Sequence, residues 1–194
     1  MRSFLLLGLA ATTALSLAAC DSTSDDGSGD IVAQRVTELP ADPNTGLGPD
    51  GRPTGATGRY TFYSLRENKV VPNADSASTK WDVAFRSSTI LANQTAGSKG
   101  GILVRVGAFA DLTEAPDTTY GASVSGAQWY DYANNLITPN AGRGRVVKTA
   151  DGKYAKMRLV SYYKGQTPTN DPTASRYFTF DYALNTDGGR RFDD

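Results

Sequence analysis

The stretch "DGKYAKMRLVSYYKG", residues 151–165, decides the fold class. An Asp-Gly step is a strong hairpin signal, and the residues that follow it are largely of the aromatic and branched types that favour strands. Alternation along such a strand places one uncharged set on a single face, namely Ala155, Met157, Leu159, Ser161 and Tyr163. The sequence therefore predicts a half-buried strand in which Met157 fills the core rather than ligating a metal.

Similar period-two patterns occur on both sides of this stretch, and they are typical of strands. They are "RYTFYSL" (59–65), "WDVAF" (81–85), "GILVRV" (101–106), "RVVKT" (145–149) and "RYFTFDYAL" (176–184). Helical periodicity is weak throughout, and only "AQWYDYANNL" (127–136) is a candidate for a short helix. We therefore expect an all-β assembly of antiparallel sheets with at most one or two short helices.

The amino-terminal region is typical of a bacterial lipoprotein. Residues 1–19 contain Arg2 and then an apolar run ending in "LSLAAC", which predicts a signal peptide followed by a lipidated Cys20. Residues 20–58 are rich in Gly, Pro and Asp and hold seven acidic against two basic side chains, a net charge of −5. This composition predicts a flexible acidic tether ahead of a β domain at 59–194. The acidic cluster just after Cys20 resembles the signals that export some lipoproteins of Gram-negative bacteria to the outer face of the outer membrane, where we expect the lipid-anchored protein to lie; the alternative is that the cluster is a solvated spacer.

The composition also excludes several chemistries. The 194 residues include no histidine and a single cysteine, which removes Ser/His/Asp and Cys/His catalysis and zinc sites built from those ligands. Carboxylate pairs such as Asp111 with Glu114 are expected to be solvated loop acids. A formal net charge of zero argues against a nucleic-acid partner. We therefore expect a protein that is not an enzyme.

The least regular segment, residues 107–145, concentrates aromatic side chains and ends in two arginines. Aromatic rings beside guanidinium groups can form an apolar slot with a cationic rim, suited to a flat anionic ligand. The alternative is that these aromatics pack the second face of the domain. The candidate ligand-binding residues are Tyr120, Trp129, Tyr130, Tyr132, Arg143 and Arg145.

Several blocks, taken in order, resemble the HmuY-like haem-binding lipoproteins of Gram-negative bacteria. These are "YTFYSL", "STKWDVAF", "AGSKGGILV", "KTADGKYAKMRLVSYY" and "YFTFDYAL", which together cover roughly residues 59–185. The resemblance implies a hand-like, all-β fold that binds haem or a related tetrapyrrole, passes it to an outer-membrane transporter and catalyses no reaction.

In that family, paired histidines, or methionines in some relatives, hold the iron from the segment between the second and fourth blocks. Residues 86–150 of this chain contain neither residue type, so no iron ligand can be transferred by resemblance. Three alternatives follow. Tyr120, Tyr130 or Tyr132 ligates the iron as a phenolate, helped by a nearby arginine. The pocket holds haem or another porphyrin by apolar contact and cationic pairing alone. Finally, the head has lost haem binding and is a surface recognition or adhesion module.

Overall fold

A computed structural model describes residues 30–193. The predicted signal peptide and Cys20 lie outside the described residues. Within them, the strands are β1 (Ile31–Pro40), β2 (Gly46–Leu47), β3 (Pro53–Thr54), β4 (Thr61–Ser64), β5 (Lys69–Val71), β6 (Val83–Arg86), β7 (Thr89–Ala92), β8 (Gly101–Val106), β9 (Ser123–Val124), β10 (Tyr130–Ala133), β11 (Leu136–Pro139), β12 (Arg143–Lys148), β13 (Tyr154–Tyr163) and β14 (Ser175–Asn185).

Two five-stranded antiparallel sheets form the body of the fold. Sheet I has the order β1-β14-β13-β12-β8, and sheet II has the order β5-β4-β6-β7-β9. Two further pairs, β2-β3 and β10-β11, are separate hairpins. The described residues contain no α-helix; the only helical elements among them are three single 3-10 turns, Asn73–Asp75, Gly126–Gln128 and Lys164–Gln166. The predicted antiparallel all-β fold is confirmed.

The main core lies between the facing surfaces of the two sheets. Phe85 of sheet II stands with its ring centroid 4.9 Å from Phe178 and 5.2 Å from Phe180, both on β14 of sheet I. Met157 is fully buried in the same cluster, as the alternation along its strand predicts. Register shifts near the end of β13 bring Tyr162 into this core beside Tyr163, although simple alternation places these neighbours on opposite faces.

A buried carboxylate ties the two sheets together. Asp82 directly precedes β6 and is 0% exposed. It accepts hydrogen bonds from the Leu65 amide at 2.8 Å, from the Arg66 Nε at 3.1 Å and from the Ala150 amide at 2.9 Å. Because Ala150 lies in the turn between β12 and β13, this one side chain joins sheet II to the central hairpin of sheet I.

Two expectations from the sequence require correction. The tether does not extend to residue 58, because β1 pairs along β14 from Ile31 onward and buries Val36 and Leu39. The segment 127–136 is not a helix, since it forms a 3-10 turn and then most of the β10-β11 hairpin. The glycine-rich segment before β8 connects β7 of sheet II to β8 of sheet I.

None of the helical elements between residues 30 and 193 has the length and apolar character needed to span a bilayer.

Candidate functional site: the β10-β11 hairpin and its cleft

The β10-β11 hairpin lies against the inner face of sheet I without joining either sheet. Its two-residue turn uses Asn134 and Asn135 at φ 51° and 60°, a left-handed conformation that asparagine tolerates and that such tight turns require. Tyr130, Leu136 and Ile137 pack against the core. One backbone hydrogen bond adds to this packing, from the Ile137 amide to the Tyr163 hydroxyl at 2.8 Å. The hairpin is thus attached to the body mainly through side chains.

At the turn end of the hairpin, a cleft with a volume of about 280 Å³ opens between the hairpin and the loop that links β13 to β14. Its aromatic and apolar lining consists of Tyr132, Ile137, Tyr162 and Tyr163. Its polar lining consists of Asn135, Thr169, Asn170, Asp171 and Ser175, with Pro172 completing the wall. The cleft therefore combines aromatic surface with hydrogen-bonding groups, as ligand sites generally do.

The three tyrosines of this cleft differ in their surroundings. Tyr132 is 65% exposed, and its hydroxyl donates to the Asn135 Oδ1 at 3.2 Å. The Tyr163 hydroxyl accepts the hairpin amide described above. Burial raises the pKa of Tyr162 to about 12, because the charged phenolate would lose its hydration. Neither lysine nor arginine lines the cleft, whereas Asp171 does, so the lining itself contains no cation to stabilise a phenolate.

Near the other end of the hairpin, Arg145 projects from β12 into the protein and is 0% exposed. Its Nη1 donates to the Arg143 carbonyl at 2.7 Å and its Nη2 to the Gln128 carbonyl at 3.3 Å, while its Nε has no partner. No carboxylate among residues 30–193 forms an ion pair with it. Burial, followed by the charge of Arg143, lowers the pKa of Arg145 to about 10.

Within the part of the chain that the structure describes, the buried guanidinium is therefore a cation without a counter-charge. Burying an ionised group is costly unless an opposite charge and full hydrogen bonding compensate for it. The two carbonyls satisfy only part of this requirement. The arrangement suits an anionic group that would approach the Nε edge.

The remaining predicted site residues are divided between different places. Trp129 is 0% exposed, donates from Nε1 to the Ser88 carbonyl at 2.8 Å, and stands 4.5 Å from the half-buried Tyr130 ring. Tyr120 instead packs against Tyr154 in a separate cluster that includes Val146. Because Val146 neighbours the inward-pointing Arg145 on its strand, that cluster lies on the outer face of sheet I.

The structure thus brings Trp129, Tyr130, Tyr132 and the two arginines to the hairpin and its base, and it places Tyr120 elsewhere. Burial also raises the pKa of Tyr120 to about 12, with a further increase from Tyr154. Its hydroxyl donates to the Pro116 carbonyl at 3.0 Å. Trp129 contributes to the core, which agrees with the alternative that the central aromatics pack the second face.

Sequence reasoning missed the residues that line the opposite wall of the cleft. They come from the end of β13 and from the loop before β14, whose segment "GQTPTNDPTAS" (165–175) is polar and contains two prolines. A polar loop between two strong strands is a common place for binding residues, and this pattern could have identified the segment.

Comparisons with known proteins give structural neighbours only. No family model matches the chain, and no curated protein matches it. One solved structure with a similar fold is the apo HmuY analog of Tannerella forsythia, with a TM-score of 0.46, 16% identity, and coverage of 82% of this chain and 99% of that chain.

Two further neighbours come from Bacteroides. An HmuY-like heme binding protein of Bacteroides vulgatus has a TM-score of 0.45, 18% identity, and coverage of 81% of this chain and 93% of its own. A lipoprotein of Bacteroides fragilis has a TM-score of 0.45, 16% identity, and coverage of 81% and 90%. The family that the sequence resembles is thus also represented among the structural neighbours. Likenesses at this TM-score and identity do not establish a ligand.

Proposed function

We propose that this protein is a non-enzymatic surface lipoprotein that binds haem or a related tetrapyrrole at the β10-β11 hairpin and delivers it to an outer-membrane transporter. The observation that carries the proposal is the buried Arg145 guanidinium without a carboxylate partner in the described chain. A tetrapyrrole has a flat apolar ring for the tyrosine-lined cleft and carboxylates for a buried cation. The sequence resemblance to HmuY-like proteins points to the same ligand class.

Binding of a whole macrocycle requires the hairpin to move outward. The cleft volume of about 280 Å³ lies at the lower limit of the usual range for ligand pockets, about 300–1,000 Å³. The hairpin has no ladder hydrogen bonds to either sheet, so an outward movement breaks mainly side-chain contacts. In this proposal Tyr130, Tyr132 and Arg143 line the opened site, Arg145 pairs with a carboxylate, and Trp129 supports the base of the hairpin. Tyr120 has no part in it.

Titration of the purified head with ferric haem tests the proposal. We expect a shift of the Soret band that saturates at one equivalent, and Arg145→Met should weaken binding. The matched control is Arg105→Met, which removes an exposed arginine from β8 and should leave the titration unchanged. A spectrum identical to that of free haem at every ratio would refute tetrapyrrole binding.

The anchor is part of the same proposal and is tested separately. Cys20→Ala should move the protein from the membrane fraction to the soluble fraction, because the acylated residue is removed. Unchanged membrane partition would contradict lipidation at this position. Surface exposure can then be measured by protease accessibility on intact cells.

A second candidate function is that of a recognition module without haem. The polar wall of the cleft, with Asn170 and Asp171 facing the exposed Tyr132, favours a polar ligand over a macrocycle. This alternative predicts that haem does not change its spectrum in the presence of the protein. It also predicts that labelled protein still binds to cell surfaces, and that Tyr132→Ala abolishes this binding.

A further inference from the structure

We propose that this site recognises the carboxylates and the ring of a free-acid tetrapyrrole rather than its iron, so that an iron-free porphyrin binds about as tightly as haem. This inference rests on the proposed function and narrows its ligand class. It follows from which side chains the hairpin region provides and from those that it lacks.

The lining of the cleft offers no ready iron ligand. It contains neither histidine, methionine nor cysteine. Among its tyrosines, Tyr163 already accepts a backbone amide, and burial works against ionisation of Tyr162. The Tyr132 hydroxyl donates a hydrogen bond to the Asn135 Oδ1, and the only charged residue of the lining is the acidic Asp171. A cation or a donor nearby helps to hold the charge of a phenolate ligand. The lining contains no cation, and although Arg176 acts on Tyr162 from outside the lining, burial still raises the pKa of that tyrosine to about 12. Tyr163, which accepts the Ile137 amide, is only 3% exposed.

Met157 is the only sulfur-containing residue between residues 30 and 193. It is the register partner of Arg145 across β12 and β13, so both side chains project from the same face of sheet I. Met157 is nevertheless 0% exposed and packed in the main core. The hairpin packs against this same cluster, but the ring contacts of Phe85 with Phe178 and Phe180 join the two sheets without it. In this proposal, movement of the hairpin alone does not bring the Met157 sulfur to an iron.

Carboxylate recognition, in contrast, has a group in place. Arg145 presents an unpartnered Nε in a buried setting, where a charge-assisted hydrogen bond is strong. The guanidinium can present two parallel N–H donors to one carboxylate, which gives a geometric preference for the free acid. An esterified propionate has no charge to offer and accepts only neutral-type hydrogen bonds. The site should therefore discriminate at the side chains of the macrocycle and be indifferent to the metal at its centre.

Three probes test this inference with the mature chain: ferric haem, protoporphyrin IX and protoporphyrin IX dimethyl ester, each followed by quenching of tryptophan fluorescence. We expect the Kd values of haem and protoporphyrin IX to agree within about threefold, and the ester to bind about 10- to 100-fold more weakly, as the loss of a charged hydrogen bond implies. Haem binding more than about 30-fold tighter than protoporphyrin IX would overturn the inference and leave the proposed function intact. Binding of none of the three probes would remove both.

Variants of Arg145 and Met157 test which side chain is responsible for the preference for the free acid and whether sulfur ligates the iron. Arg145→Met should abolish the difference between free acid and ester, and Arg145→Lys, which keeps the charge but not the paired donors, should retain part of it. Arg105→Met should retain all of it. Met157→Leu matches the buried volume closely and should leave both the haem spectrum and the haem affinity unchanged. If this variant loses haem binding but not protoporphyrin binding, the sulfur ligates iron and the inference is wrong.

Discussion

Replacement of the buried arginine should make the free protein more stable while it weakens ligand binding. In Arg145→Met, a side chain of similar length removes a cation that is 0% exposed and has no ion-pair partner among the described residues. A group retained at a cost to stability is expected at a binding site, where natural proteins depart from optimal packing. The direction of the stability change therefore tests the assignment of Arg145 independently of any ligand.

The magnitude follows from the pKa and the lost hydrogen bonds. Burial lowers the pKa of Arg145 from 12.5 to about 10. The folded protein thus holds this proton less tightly than the unfolded chain does, and the penalty is fully present at every pH below about 10. At about 1.4 kcal/mol for each pKa unit, burial of the charge costs about 3 kcal/mol. Arg145→Met removes this cost, but it also loses the two hydrogen bonds to carbonyls, which offsets about 1–2 kcal/mol of the gain in stability.

Arg145→Met should therefore raise the free energy of unfolding at pH 7 by about 1–2 kcal/mol, which corresponds to an increase in Tm of about 2–8 °C for a domain of this size. Urea unfolding followed by tryptophan fluorescence measures it, with Arg105→Met as the control that should remain within about 0.5 kcal/mol of the parent. A loss of more than about 1 kcal/mol in Arg145→Met would refute the reasoning, because it would mean that the guanidinium is net stabilising where it lies.

Three further predictions concern the fold and the hairpin. Asp82→Ala should cost about 3–5 kcal/mol in urea unfolding, since it removes the nearer of the two carboxylates that pair with Arg66 and leaves the Leu65 and Ala150 amides without their acceptor, and a loss below about 1 kcal/mol would contradict its linking role. Hydrogen bonding from Arg35, and then from Arg158, lowers the pKa of Asp181. Because both arginines are half exposed, this carboxylate contributes only about 0.5–1 kcal/mol to the free energy of unfolding. The contribution is present above about pH 4 and is lost in more acidic solution. Asp181→Asn should flatten the acid limb of the stability curve, and an unchanged limb would exclude this group. Tyr163→Phe removes the acceptor of a hairpin amide and should speed hydrogen exchange in the hairpin about fivefold, whereas unaltered exchange would mean that this bond does not hold the hairpin.

The strands of the two sheets were largely predictable because their residues alternate. The strand predicted after the Asp151-Gly152 step is β13, Tyr154–Tyr163, and Met157 lies in the core as predicted. "GILVRV" likewise coincides with β8. The local sequence pattern did not predict β1. Its segment "IVAQRVTELP" (31–40) is strand-like, but the turn-forming residues on both sides of it led to the prediction of a flexible tether. Its partner β14 lies at the far end of the sequence, and such non-local pairing leaves no local trace.

The candidate site was predictable only in part. The sequence indicated that aromatics and arginines of the central segment belong together, and most of them do meet at the hairpin. It could not place Tyr120, because both faces of sheet I are covered and alternation alone does not say which face is the inner one. It also could not indicate that Arg145 lacks a carboxylate, since the absence of an ion pair is a property of three-dimensional packing. The Asn134-Asn135 step was the turn signal that would have favoured a hairpin over a helix.

The early start of β1 limits how far the head can travel from the proposed anchor at Cys20. Ten residues separate Cys20 from Ile31, where pairing with β14 begins. A chain of that length extends at most about 35 Å, whereas a tether to residue 58 would have extended about 130 Å. If Cys20 carries the proposed acyl chains, the head samples only a shallow layer above the bilayer. A carrier with so short a radius would then exchange its ligand with proteins in the same membrane, and it would find its source by lateral diffusion rather than by reaching outward.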